Sequence, residues 1–166
     1  MNPINRSISN RLFFLILVVL LVPMAGIAAE SPLTGAWQIV EATGHDSKNG
    51  DWKTKNIQPG LFLFVDGHYS MIYVTGDKAR ALLPAATDRD NITEEQLRAT
   101  FKPIIANSGT YTIKGSSLTT KPMVALWPNF MESGSDAYTF SIEKDMLTLT
   151  EKVDGGTSTF KLQRVR

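Results

Sequence analysis

The sequence predicts an all-β domain: an eight-stranded antiparallel up-and-down barrel with one helix between the third and fourth strands. Short runs in which apolar and polar residues alternate with a period of two begin after Gly35, and turn residues separate them. Eight strands joined mostly by hairpins can close on themselves, which removes exposed sheet edges. A barrel of this size is either filled by its own side chains or just wide enough for one small ligand.

Residues 1–29 differ in composition from the rest of the chain. Arg6 and Arg11 form a basic start, the run from Leu12 to Val22 is unbroken apolar, and small residues follow it. This pattern predicts a cleaved signal peptide over 1–29, a barrel domain over 30–166, and a periplasmic or secreted protein with no stable membrane anchor after cleavage. An uncleaved anchor is the alternative, but a proline and a glycine interrupt the apolar stretch.

Composition excludes several kinds of protein. The chain has no cysteine, so it has neither a disulfide nor a lipid-modified N-terminal cysteine. Without residues 1–29 the acidic residues outnumber the basic ones by one, so no nucleic-acid-binding surface is predicted. His45 and His68 lack the spacing of metal ligands, and neither a metal nor another cofactor is predicted.

The first three strands come from two segments. Ala36 to Ala42 is the first strand, and a polar loop is predicted from Gly44 to Gln58. Gly60 to Val74 is predicted to form a hairpin, because Asp66-Gly67 supplies the positive φ angles that a tight hairpin turn requires.

A helix is predicted after these strands. Thr93 and Gln96 form a capping box, so the helix should begin there and continue to about Ile105, with Pro103 limiting its regularity. Its apolar residues recur every three or four positions, which predicts one face packed on the barrel. They are Leu97, Phe101, Ile104 and Ile105.

The remaining five strands follow the same alternation. An aromatic loop, Trp127 to Phe130, divides the first two of them from the last three. The last three form an antiparallel meander with one face toward solvent. The five are Gly109 to Lys114, Ser117 to Val124, Tyr138 to Ile142, Leu147 to Thr150 and Thr159 to Leu162.

The two ends of the barrel domain are predicted to meet. Arg164 has the same parity as Phe160 and Leu162, so it faces inward if they do. The first and last strands of a closed barrel are neighbours, so the Arg164 guanidinium is predicted to stack on the Trp37 indole and seal the barrel floor. Such a contact contributes about 1–2 kcal/mol when desolvated. Gly35 allows the sharp backbone bend that this closure needs.

The sequence Gly35-Ala36-Trp37 together with Arg164 resembles the lipocalins, in which a glycine-any-tryptophan motif and a late arginine close the barrel. Over about residues 33–165 the chain is similar to bacterial and fungal lipocalin-like domain proteins. This resemblance implies a calycin-type barrel and often an apolar ligand, but no reaction. The shared motifs are, in order, the hairpin of Gly60 to Val74, Gly109-Thr110-Tyr111, Pro128-Asn129-Phe130 and Leu147-Thr148-Leu149.

The aromatic residues are the candidate ligand-binding residues. Their rings and hydroxyl groups would line a cavity suited to a small hydrophobic molecule, although packed core is the alternative for each of them. No catalytic residues are predicted, because no nucleophile, base and orienting group occur together. The ligand-binding candidates are Tyr73, Tyr111, Trp127, Tyr138 and Phe140.

Three functions remain open from the sequence. The first is a secreted or periplasmic lipocalin-like protein that binds a small hydrophobic ligand inside the barrel. The second is a barrel enzyme of the isomerase or cyclase type acting on an apolar substrate, which a carboxyl or tyrosine group buried in the cavity with a shifted pKa would favour. The third is a protein-interaction module, which a large exposed apolar patch beside the barrel would favour.

Overall fold

The computed structural model describes residues 30–84 and 89–166, and the predicted signal peptide lies outside them. In these two ranges the chain forms nine strands, two short α-helices and one turn of 3-10 helix at Arg89–Asn91. The helices are α1 (Glu94–Phe101) and α2 (Asn129–Ser133). The strands are β1 (Gly35–Asp46), β2 (Gly50–Lys53), β3 (Gly60–Val65), β4 (His68–Val74), β5 (Ile104–Lys114), β6 (Ser117–Ala125), β7 (Ala137–Glu143), β8 (Met146–Val153) and β9 (Gly156–Arg164).

Eight of the strands form a closed antiparallel up-and-down barrel, which confirms the predicted fold class. From β3 to β9 each strand pairs with the next in sequence, and β1 pairs with both β3 and β9. The closing ladder is long, because it extends from the pair Trp37–Arg164 to the pair Asp46–Gly156. The additional strand, β2, pairs with β1 over Thr43–Asp46, beyond the part of β1 that pairs with β3.

The barrel has two different ends. The hairpin turns at Asp66-Gly67, Gly115-Ser116 and Lys144-Asp145 lie at the end where β1 begins and β9 ends. We call this end the floor and the opposite end the mouth. Asp66 and Gly67 have φ angles of 46° and 74°, as the predicted hairpin turn requires.

The floor is closed by a contact between the first and last strands. The Arg164 guanidinium lies 4.0 Å from the centre of the Trp37 ring, and its Nη1 donates to the Thr34 carbonyl at 2.6 Å. Trp37 is fully buried, and its Nε1 donates to the Leu33 carbonyl at 2.7 Å. Gly35 has a φ of 127°, and a Cβ there would lie 2.7 Å from Arg164 Nη1. The glycine therefore leaves room for the guanidinium in a backbone conformation that other residues avoid.

Apolar side chains fill the barrel above the floor. They occupy alternate positions of the strands and face inward, where each removes its apolar surface from water and stabilises the fold by about 1.5–3 kcal/mol. These side chains form one continuous core in the described part of the chain. The most deeply buried of these side chains, at 0–2% exposure, are Phe62, Phe64, Leu118, Leu147, Leu149 and Leu162.

The predicted polar loop from Gly44 to Gln58 is wrong over its first part. β1 continues to Asp46, and β2 returns alongside it. The Trp52 ring of β2 packs on the bare backbone of Gly44, where an added Cβ would lie 2.4 Å from a ring atom. This contact between two segments explains why a polar sequence forms a strand pair here.

The helix and the loop after β6 also differ from the prediction. The capping box at Thr93 is present, but α1 ends at Phe101 and none of its residues is buried. Pro103 interrupts the helix, and Ile104 pairs with Val74 as the first residue of β5. The aromatic loop contains α2. Over residues 30–84 and 89–166, no helix has the length and apolar character that crossing a bilayer requires.

Candidate ligand-binding site

A cavity of about 720 Å³ lies at the mouth of the barrel. Its walls come from α1, the start of β5, the end of β6 and the segment that contains α2. All of these belong to the end of the barrel opposite the Trp37–Arg164 contact. Most of the lining is apolar and aromatic, and it includes Leu97, Phe101, Ile104, Ile105, Trp127 and Phe130.

The outer rim of the cavity is made of exposed apolar side chains. Trp127 is 74% exposed, Phe101 45% and Leu97 42%. Large apolar groups that remain in water next to a cavity are a common feature of binding sites. The face of α1 that was predicted to pack on the barrel therefore contributes to the cavity wall instead.

The inner end of the cavity carries the carboxyl group of Asp136. This residue lies two positions before Tyr138, so the two side chains share the inward face of the chain. The backbone N–H of Thr120 donates to the Asp136 carbonyl at 2.9 Å, which fixes the position of the residue. The Tyr138 hydroxyl donates to Asp136 Oδ2 at 3.1 Å.

A second carboxyl group lies beside Asp136. Glu151 is opposite Tyr138 in the β7–β8 ladder and therefore faces the barrel interior with it. Burial, and then the neighbouring Asp136 carboxylate, raise the pKa of Glu151 to about 7. Burial also raises the pKa of Asp136, while hydrogen bonds from Tyr138 and Glu151 oppose that rise. The interaction between the two carboxyl groups raises the pKa of Glu151 and lowers that of Asp136, so the pair holds a proton near neutral pH more readily than two separate carboxyl groups would.

Asn107 is the second polar residue of the inner end. It is only 7% exposed, it lines the cavity, and its Oδ1 accepts a hydrogen bond from the Tyr69 hydroxyl at 2.6 Å. Within the described part of the chain, Asn107 Nδ2 has no hydrogen-bond acceptor. Nδ2 itself remains reachable by solvent, because the Tyr111 hydroxyl is the side-chain N or O atom of the described residues that is fully buried without a partner.

A smaller cavity of about 210 Å³ lies on the β1 side of the mouth. Trp52 and Ile57 cover it from outside, and Tyr73 and Phe160 form its inner wall. The Tyr73 and Phe160 rings meet edge to face with centroids 5.4 Å apart. Burial raises the pKa of Tyr73, so its hydroxyl stays neutral.

The structure places the five predicted ligand-binding residues at different levels of the barrel. Trp127 lines the larger cavity and Tyr73 the smaller one, and Tyr138 holds Asp136 at the inner end of the larger cavity. Tyr111 and Phe140 lie among the core side chains instead. Tyr138 belongs to the same core and Tyr73 packs against it, so a ligand-binding role for all five residues stays a prediction.

Tyr111 carries a buried hydroxyl group without a hydrogen-bond partner in the described residues. Its ring packs edge to face on Phe64 with centroids 5.3 Å apart, and the residue is 8% exposed. A buried hydroxyl without a partner lowers the stability of the fold.

Sequence reasoning missed Asp136 and Glu151, although a signal was present. Asp136 shares the parity of Tyr138 and Phe140, and Glu151 shares that of Leu147 and Leu149. A carboxyl group on the apolar face of an alternating strand is a departure from the pattern and marks a candidate site. In the described residues, no group of three or more histidine, aspartate or glutamate side chains could hold a metal ion.

Comparison with known proteins identifies the family. Among solved structures, a lipocalin-like protein from Bacteroides uniformis is 12% identical, with a TM-score of 0.42 over 80% of this chain and 98% of that chain. An uncharacterized protein from Bacteroides eggerthii is 10% identical, with a TM-score of 0.42 over 80% of this chain and 99% of that chain. No curated protein matches the sequence. The family model of the lipocalin-like domain matches residues 34–163, which is most of the chain, and the chain therefore belongs to the lipocalin-like domain family.

Proposed function

We propose that the protein binds a small, mainly apolar ligand in the larger cavity at the mouth of its barrel. The observation that carries this proposal is the cavity itself, about 720 Å³ with apolar walls and two polar side chains at its inner end. Sites for single small molecules have volumes of about 300–1,000 Å³ and combine apolar walls with a few polar groups. Membership of the lipocalin-like family is consistent with this function.

The packing of the barrel supports the choice of this end. Trp37 and Arg164 close the floor, and the interior above them is filled by fully buried side chains. A ligand therefore reaches the interior from the mouth, where the rings of Phe101 and Trp127 provide an apolar surface to contact first.

We further propose that the protein acts in the periplasm or outside the cell. The support is the sequence of residues 1–29, with its basic start, apolar stretch and small residues before Glu30. Fractionation of the native host followed by mass spectrometry of the N-terminus tests this location. An N-terminus at Glu30 in an extracytoplasmic fraction is expected, and a chain that retains Met1 in the cytoplasm would contradict the proposal.

Binding can be tested with N-phenyl-1-naphthylamine, a neutral apolar probe whose fluorescence rises when it leaves water. Titration of the purified protein should give a saturable increase with one probe per chain. The Leu97→Ala variant shortens a side chain of the cavity wall and should weaken binding about threefold to tenfold, because less apolar surface is buried against the probe.

Leu63→Ala is the matched control for that variant. Leu63 is the same residue type and is 39% exposed, close to the 42% of Leu97, but it lies on β3 outside the cavities. This control should bind the probe as the unaltered protein does. Equal loss in both variants, or no saturable binding by the unaltered protein, would reject the proposed site.

One observation favours the alternative of a barrel enzyme acting on an apolar substrate. Asp136 and Glu151 form a buried carboxyl pair, and a carboxyl pKa near 7 suits a general acid or base. Native mass spectrometry of protein isolated from its own host separates the two functions. A binding protein should release the same molecule from both chains, in equal or smaller amount from Asp136→Asn, whereas an enzyme should retain product in the unaltered chain and unconverted substrate in Asp136→Asn.

A further inference from the structure

We propose that the ligand carries a cationic amine beside its apolar body, and that Asp136 binds this amine at the inner end of the larger cavity. The inference rests on the proposed function, because it names the class of ligand that the same cavity takes.

The first argument is the geometry of Asp136. Its carboxyl group lines the cavity, and the Tyr138 hydroxyl, on an inward position of β7, donates to its Oδ2 at 3.1 Å. This neutral donor stabilises a negative charge on Asp136 without neutralising it. The Asp136 carboxyl group therefore faces whatever occupies the cavity, and a cation there would favour its charged form.

The second argument is the absence of a counter-charge within the protein. Among the side chains that the structure describes, no lysine, arginine or histidine forms an ion pair with Asp136 or Glu151. A partly buried carboxylate without a cation is costly, and a paired cation with good hydrogen-bond geometry relieves this cost. An amine supplies both the charge and the N–H donors, and charge-assisted hydrogen bonds are about twice as strong as neutral ones.

A third, independent observation also points to a ligand. Asn107 is more than nine-tenths buried and lines the cavity, and its Nδ2 has no acceptor within the described residues. Its other amide atom is already held by Tyr69. An oxygen atom next to the amine of the ligand could accept a hydrogen bond from this N–H in place of the solvent that reaches it.

A ligand with a carboxylate head group would bind at a different part of the cavity. Arg98 of α1 and Lys102, the residue that follows α1, also line the cavity, and Arg98 is already paired with Glu94 at 2.6 Å. A ligand with a carboxylate would have to keep its charge at this outer end, next to Lys102, because Asp136 repels it from the inner end. Amine and carboxylate ligands are therefore distinguishable by affinity and by the residue on which binding depends.

Isothermal titration calorimetry with decylamine, decanol and decanoate at neutral pH tests the inference. The three probes share one alkyl chain and differ only in the head group. Decylamine should bind at least about tenfold tighter than decanoate or decanol, the ratio that one charge-assisted hydrogen bond provides. In Asp136→Asn, decylamine should lose about that tenfold while decanol binding is unchanged.

Glu95→Gln is the matched control, because it removes a carboxylate from the exposed face of α1 near the mouth. It should bind decylamine as the unaltered protein does, which excludes a general effect of net charge. Decanoate binding as tightly as decylamine in the unaltered protein overturns the inference even if Asp136→Asn fails to fold. Binding of decanol or of N-phenyl-1-naphthylamine without an amine preference overturns the inference alone, whereas no binding of any probe overturns the proposed function as well.

Discussion

Removal of the Arg164 side chain should open the floor of the barrel. In the structure this guanidinium covers the Trp37 ring at 4.0 Å and donates to the Thr34 carbonyl at 2.6 Å. Arg164→Ala deletes both interactions and leaves one face of a fully buried indole without its cover. The ladder between β1 and β9 closes the barrel and ends at the pair Trp37–Arg164, so the substitution removes contacts at the end of the closing ladder.

The size of the effect follows from these contacts. A partly desolvated cation–π contact contributes about 1–2 kcal/mol, and a hydrogen bond from a charged donor about 1.5–3 kcal/mol. The Arg164 side chain is 30% exposed, so the lower half of each range applies. The free energy of unfolding should fall by about 3 kcal/mol, a large part of the stability of an ordinary domain.

Arg166→Ala provides the control for this prediction. Arg166 lies two residues later at the same end of the barrel, but its side chain is 85% exposed and binds only the Asp145 carboxylate. Its removal should change the free energy of unfolding by less than about 1 kcal/mol. Urea unfolding followed by tryptophan fluorescence and circular dichroism measures both variants. The reasoning is refuted if Arg164→Ala is no less stable than Arg166→Ala.

Three further predictions can be measured by the same urea unfolding. Gly35→Ala should lose about 1–3 kcal/mol, because the position has a φ of 127° and the new Cβ meets Arg164; unchanged stability would contradict this. Tyr111→Phe should be neutral or stabilising by about 1 kcal/mol, because it removes a buried hydroxyl without a hydrogen-bond partner. Tyr69→Phe should destabilise by about 1–2 kcal/mol, because it removes the hydrogen bond to Asn107. Destabilisation by both variants would contradict the different environments of the two hydroxyl groups. The pKa of Glu151 is raised from 4.5 to about 7, so the folded state holds its proton more tightly than the unfolded state and stability should fall as pH rises through this interval. Glu151→Gln should remove that decrease, and an unchanged slope would show that other groups cause it.

The parts of the fold that were predictable from sequence depend on local chemistry. Asp66-Gly67 favours the positive φ angles of a tight hairpin turn whatever surrounds it. The alternation of apolar and polar residues in β7, β8 and β9 predicts which side chains face the core. The strand β2 could not be predicted in this way. It is held by the packing of the Trp52 ring on the backbone of Gly44, and the alternation of apolar and polar residues within one segment does not predict this contact.

The candidate site was predictable only in part for a related reason. Parity within single strands places Tyr138, Asp136 and Glu151 on the inward face, and only the aromatic member was chosen from the sequence. The cavity wall itself depends on where α1 ends and β5 begins. Pairing of Ile104 with Val74 overrides the helical periodicity there, because a strand in the barrel satisfies its backbone groups and a continued helix through Pro103 would not.

The position of the chain ends relative to the mouth has a practical consequence. β1 begins and β9 ends side by side at the floor, where Arg164 contacts Thr34. A linker attached before β1 or after β9 would hold the domain by its sealed base, with the opposite opening turned toward solution. Protein immobilised in this way would display all copies in one orientation and leave the cavity at the mouth open to solution.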